Sequence, residues 1–163
     1  MWPGRRRLPA PTGYGALMSV TAARTVTIAA PLEGVLATVR DVAGQPQWWP
    51  GMLGSEVLEE DEEGRVLRAR ITTDVKVLTD TFEVAYEHPD DGLRWSLQGS
   101  SRAQRAQQGS WSLVAEGGAT VATIRLEIAT SVPLPKLVQR RIVGDAVAQA
   151  AAGLQRHCEA GAT

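Results

Sequence analysis

The chain has 163 residues, with 17 Lys and Arg against 18 Asp and Glu, for a formal charge of −1. That length suits one domain with a single core, and the balanced charge gives no reason to expect nucleic acid or an anionic membrane as partner. The lone cysteine, Cys158, excludes an intrachain disulfide and suits a reducing cytosol. No apolar run approaches the roughly 20 residues that a membrane-spanning helix needs.

The first stretch, MWPGRRRLPAPTGYGAL, has the basic cluster Arg5, Arg6 and Arg7, but prolines and glycines interrupt the LPAPTGYGAL segment after it. An export signal needs a continuous apolar segment there, so residues 1–20 are expected to be a disordered tail, with Met18 as an alternative start. Residues 21–160 are expected to form one domain. RTVTIAA (24–30) alternates and is rich in β-branched residues, which predicts a strand. Pro31 then opens a helix, and Leu32, Val35, Leu36, Val39 and Val42 recur at helical spacing. Gly44 and Pro46 end it.

The segment DVAGQPQWWPGM (41–52) comes next, setting Trp48 and Trp49 side by side between two prolines. Adjacent residues on a helical turn point about 100° apart, so the two rings cannot share one environment. Either both anchor the segment, or one anchors it while the other borders a binding site.

Alternating segments joined by hairpin turns come after it. VLRARITTDVKV (66–77) puts Leu67, Ala69, Ile71, Thr73, Val75 and Val77 on one face. Phe82, Val84 and Tyr86 share a face in 79–87, and HPDDG reads as a turn. Leu93, Trp95 and Leu97 share one in 93–98. After a polar connection, GSSRAQR, come Trp111 and Leu113, and then Ala122, Ile124, Leu126 and Ile128. The acidic run 59–63 reads as a solvated hairpin tip. Such alternation predicts an antiparallel sheet with one wet and one covered face.

The cover is the last element, from Pro135 to just before Gly161, roughly 24 residues or about 36 Å long. On a helical wheel Val143, Val147, Ala150, Ala151 and Leu154 form one stripe, and Arg141, Asp145, Gln149 and Arg156 the opposite one. The order is thus strand, one or two short helices, about six strands, and a long helix.

At this point the chain resembles the START-like helix-grip superfamily (SRPBCC), most closely its polyketide cyclase/dehydrase and coenzyme Q-binding START branch. APLEGV, DVAGQPQWWPGM, TDTFEVAYE with LRWSLQG, GSWSLVAEGGATVATIRLEI and VPLPKLVQRRIV carry the resemblance over residues 24 to about 158. Gln45 departs from the pattern, because an aromatic commonly precedes that proline. The resemblance implies an α+β helix-grip fold: a curved antiparallel sheet of six or seven strands wrapped around the C-terminal helix, with an apolar cavity between them. Members bind lipids, quinones, polyketides or hormones; some cyclise polyketides, and others are ribosome-association toxins. Fold alone does not choose among these.

Catalysis needs titratable groups aimed into such a cavity. His88 precedes Pro89 at a strand end and reads as a solvent-facing turn residue; His157 lies in the last helical turn, where its charge suits the dipole. No cluster has metal-ligand spacing, and no nucleophile elbow or phosphate loop is present, so neither metal nor cofactor is expected. Asp80 shares the parity of Phe82 at a strand start and is read as reaching solvent or facing the cavity. Arg140 lies near Val143 and Val147 on the wheel, and either snorkels out or points its guanidinium inward. Tyr86 either packs or donates a hydrogen bond to a ligand.

The leading expectation is a cytoplasmic protein that binds a hydrophobic small molecule. Its cavity walls would come from Ile71, Thr73, Phe82, Val84, Trp95, Trp111, Ile124, Val143 and Val147, with Trp48 or Trp49 at the entrance. Tyr86 and Arg140 are the polar candidates, and the same two would polarise a carbonyl in a cyclase or dehydratase. A third reading, an interaction protein or toxin, would use the wet face of Arg68, Arg70 and Lys76. No transmembrane segment is expected, and transient membrane contact stays open.

Overall fold

The structure, a computed structural model, describes residues 19–74 and 78–161. Residues 1–18 of the expected tail and the continuation Val75, Lys76 and Val77 lie outside the described residues, whereas Ser19 and Val20, also assigned to that tail, open β1. In chain order come β1 (Ser19–Ile28), α1 (Leu32–Arg40), a 3₁₀ turn (Val42–Gln47), β2 (Met52–Glu60) and β3 (Val66–Asp74). Then come β4 (Thr79–Glu87), β5 (Gly92–Gln98), β6 (Gln104–Glu116), β7 (Ala119–Thr130) and α2 (Lys136–Gly161). The strands form one seven-stranded antiparallel sheet, ordered β1-β7-β6-β5-β4-β3-β2. From β2 through β7, each strand pairs with the next in sequence. The α1 segment carries the chain from one edge of the sheet to the other.

Alternation produces the two faces. Asp80, Phe82, Val84 and Tyr86 of β4, Trp95 of β5, Trp111 and Leu113 of β6, and Ala122, Ile124 and Leu126 of β7 are all buried under the helices. On the outer face Arg68 pairs with Glu83 at 3.0 Å and Arg70 with Glu56 at 2.7 Å, across neighbouring strands. These side chains are about half exposed, so each pair contributes little to stability; together they neutralise the face.

In α1, Val35 and Val39 are buried, as is Val42 just beyond it. Gln45 is buried too, and its Nε2 donates to the Val39 carbonyl at 3.1 Å, closing the open end of the helix. Its own carbonyl accepts from the backbone N–H groups of Trp48 and Trp49 at 3.1 and 2.9 Å. The residue that departs from the family pattern therefore sets the turn that presents both tryptophans.

The last helix runs 26 residues, about 39 Å, and packs chiefly against β1 and β7. The expected stripe of Val143, Val147, Ala150, Ala151 and Leu154 is buried, and Cys158 extends it. At Gly153 the helix meets the Trp48 segment so closely that a Cβ would lie 1.8 Å from the Trp48 carbonyl oxygen and 3.1 Å from Pro50 Cδ. Only glycine permits that approach. Two corrections concern element bounds: β1 begins earlier than residue 24, and β6 begins at Gln104, inside the segment read as a connection.

A Cβ at Gly153 must push α2 away from backbone, whereas Gly144 has no atom within 4 Å of the same position. Gly153→Ala is expected to cost at least about 1–3 kcal/mol, and Gly144→Ala to add about 0.5–1 kcal/mol of helix stability. Urea denaturation of both variants checks this; a Gly153→Ala protein as stable as the parent would contradict the contact.

Candidate functional site

Because the C-terminal half of α2 is held against Trp48, β1 and β7, its N-terminal half stands off the sheet. A cavity of about 180 Å³ lies between them. Its sheet wall comprises Ile71 and Thr73 of β3, Phe82, Val84 and Tyr86 of β4, Trp95 of β5, and Leu126 and Ile128 of β7. Gln139, Ile142, Val143 and Ala146 of α2 face them, and Trp49 and Met52 close one side. The lining residues Pro50, Gly51 and Asp74, all exposed, mark where it meets solvent.

The two adjacent tryptophans take different roles. Trp48 is 5% exposed, and its ring stacks on Trp49 (centroids 5.7 Å apart, planes at 24°) and meets Trp111 edge-on at 5.9 Å. It sits behind the cavity, in the core. Trp49 is half-buried and lines the cavity, edge-on to Trp95 at 5.9 Å and to Trp111 at 6.1 Å. Such edge-to-face contacts hold an indole in place without covering its remaining face.

Trp95 can lie flat on the sheet because its cross-strand neighbour is Gly109, where a Cβ would come within 2.1 Å of the indole. Its Nε1 donates to Gln107 Oε1 at 2.8 Å. Gln107 Nε2 donates in turn to Gln104 Oε1, and Gln104 Nε2 to Asp80 at 3.3 Å. Asp80, fully buried, also accepts from Ser101 Oγ and from the Ala103 amide at 3.4 Å. The indole can only donate and the carboxyl group here accepts, so both carboxamide orientations follow from the ends of the chain. Gln104 and Gln107 line the cavity, while Asp80 stands behind them and does not reach solvent.

Tyr86 lines the cavity, and among the described residues its hydroxyl has no hydrogen-bond partner. Burial pushes the phenol well above the usual tyrosine range, so it stays protonated and can donate. No Arg, Lys or His among the described residues lines the cavity.

Of the expected site residues, Trp49, Ile71, Thr73, Phe82, Val84, Tyr86, Trp95 and Val143 line the cavity. Trp48, Trp111, Ile124 and Val147 are buried behind its wall, and Arg140 stands exposed on α2 outside the lining. Asp145, placed on the outer stripe from the wheel, is half-buried and lines the cavity. His88 is half-buried rather than solvent-facing: its Nε2 lies 2.7 Å from the Val66 carbonyl, and desolvation is the main cause lowering its pKa. His157 is exposed. Among the described residues no His, Cys, Asp and Glu grouping could hold a metal.

Sequence reasoning missed Gln104, Gln107 and Gln139. Gln107 has the parity of Trp111, and Gln139 lies one turn before Val143, so both carried a readable signal. Gln104 did not. A bulge between Gln104 and Ala106 inserts Arg105 and brings Gln104 round to the inner face.

A family model described as polyketide cyclase / dehydrase and lipid transport matches residues 19–159. No curated protein matches the sequence. Among solved structures, a START superfamily protein from Mycobacterium smegmatis superposes with a TM-score of 0.80 at 23% identity, over 86% of this chain and 97% of that one. The Zhui aromatase/cyclase from Streptomyces sp. R1128 gives 0.71 at 18% identity, over 88% and 93%. A Thermus thermophilus protein gives 0.74 at 22% identity, over 89% and 99%. At these identities the likeness is one of fold.

Truncating the two tryptophans separates their roles. Trp48→Ala is expected to cost about 3–5 kcal/mol in urea denaturation, as for a buried aromatic. Trp49→Ala is expected to cost clearly less stability, and to weaken binding of an aromatic ligand at least about tenfold. The reverse order in either measurement would contradict the placement.

Proposed function

Because the chain belongs to the polyketide cyclase/dehydrase and lipid-transport family, we propose that its cavity binds a hydrophobic small molecule of one or two rings. The observation that carries the reading is a mostly apolar, tryptophan-walled cavity of about 180 Å³ that opens to solvent. A dry cavity of about 150 Å³ holds a benzene ring, so this one accepts slightly more. A longer lipid or polyketide would leave part of itself outside the mouth. Trp49 and Trp95 give planar rings an edge or face to rest against, and neutral carboxamides supply the polar contacts that orient a ligand.

Tyr86 supports a second reading, a cyclase or dehydratase. A protonated, unpartnered phenol in the cavity can donate to a substrate carbonyl and polarise it. Arg140, the other group this chemistry would use, is exposed away from the lining, so Tyr86 would work without it. The binding reading asks for no second group and is preferred. The macromolecular reading is weaker still, since Arg68 and Arg70 are paired with Glu56, Glu59 and Glu83. Lys76, the third member of that surface, lies outside the described residues. Among them no helix is long and apolar enough to cross a membrane. The reading places binding in the cytoplasm, where buried Cys158 stays reduced.

Native mass spectrometry of freshly purified protein, followed by extraction, is expected to find a copurified hydrophobic compound. Added at about 100 times its Kd, that compound should raise Tm by roughly 5–10 °C. A protein with no bound mass, unmoved in Tm by any lipid, quinone or one- to two-ring aromatic, would overturn the reading.

A further inference from the structure

Among the described residues, two that line the cavity carry a buried polar atom with no partner, Thr73 through Oγ1 and Gln139 through Oε1. Gln139 is the more informative. It is 7% exposed, in the first turn of α2, and its Nε2 donates to the Leu134 carbonyl at 2.6 Å. A carbonyl cannot face another carbonyl at that distance, so the amide orientation is fixed and Oε1 is a committed acceptor. A buried acceptor left unpaired carries the full penalty of its lost water, and that penalty disappears when a donor arrives. Gln139 itself lines the cavity, so a donor bound there lies beside this acceptor.

Resting on the binding reading above, we propose that Gln139 makes the cavity selective for uncharged aryl alcohols, whose hydroxyl donates to Gln139 Oε1 while the ring packs against Trp49 and Trp95. A quinone or ketone brings only acceptors and leaves Gln139 unpaired. A carboxylate fares worse, because it brings negative charge to an acceptor where no Arg, Lys or His among the described residues lines the wall. The selection is thus against the oxidised and the anionic members of one ring skeleton, and for the hydroxylated, neutral one.

Three ligands of one skeleton test this by isothermal titration at pH 7: 2-naphthol, 2-fluoronaphthalene, which keeps size but loses the donor, and 2-naphthoate. The chain is expected to bind 2-naphthol about tenfold more tightly than 2-fluoronaphthalene, with 2-naphthoate weakest. Gln139→Met, close in volume but without the acceptor, should remove the difference in affinity between 2-naphthol and 2-fluoronaphthalene. Equal affinity of the unsubstituted chain for 2-naphthol and 2-fluoronaphthalene, tighter binding of 2-naphthoate, or a preference that survives Gln139→Met would overturn the proposal. Should the variant not fold, the three affinities of the unsubstituted chain decide it. Failure of all three compounds to bind, by contrast, would count against the hydrophobic-binding reading itself.

Discussion

Everything in this molecule depends on how closely α2 approaches the double-tryptophan segment at Gly153. The Trp48 carbonyl occupies the space of a side chain there, so the helix is seated directly on backbone. That contact, with Ala150, Ala151 and Leu154 beside it, holds the C-terminal half of α2 tightly in the sheet. A straight helix pinned at one end of a twisted sheet must lift from it at the other. The lift opens the cavity beneath Gln139, Ile142, Val143 and Ala146, and Trp48 occupies the hinge side of the wedge while Trp49 faces the opening.

Within the mostly apolar cavity wall the deeply buried polar groups are carboxamides, while the carboxylates Asp74 and Asp145 are exposed and half-buried. Gln45, Gln104, Gln107 and Gln139 are all at least nine-tenths buried and all line the cavity. Carboxamides donate and accept but do not titrate, so they hold their orientation across the physiological pH range. The acidic group behind this wall, Asp80, has its carboxyl group satisfied by Ser101, Ala103 and Gln104. Burying it would otherwise be costly. Its effect reaches the cavity through Gln104 and Gln107 and ends by fixing the indole of Trp95.

The fold was legible wherever one periodicity governs a segment. Strand parity placed Phe82, Val84 and Tyr86 on the inner face, and the wheel placed Val143, Val147 and Leu154 inward. Legibility ended where periodicity breaks. The bulge at Arg105 reverses the parity of Gln104 within a stretch that reads as a polar connection. Arg140 shows the same limit on a helix. It shares a wheel position with Cys158, about five turns further on, and Cys158 is buried. At the lifted end of α2, however, the inward arc is centred on Gln139, and the direction of Arg140 leads to solvent. A wheel averages over the whole helix and so cannot show that rotation. Which tryptophan anchors and which lines the cavity was equally unreadable, because it depends on where α2 lands.

Fold and binding meet in the apolar cavity under the N-terminal half of α2. Pressurising a crystal of the protein with xenon tests that most directly, because xenon enters dry cavities of this size. A xenon atom bounded by Trp49, Phe82, Trp95 and Val143 is the predicted result. Unbroken side-chain density across that space, with no xenon in it, would contradict the account.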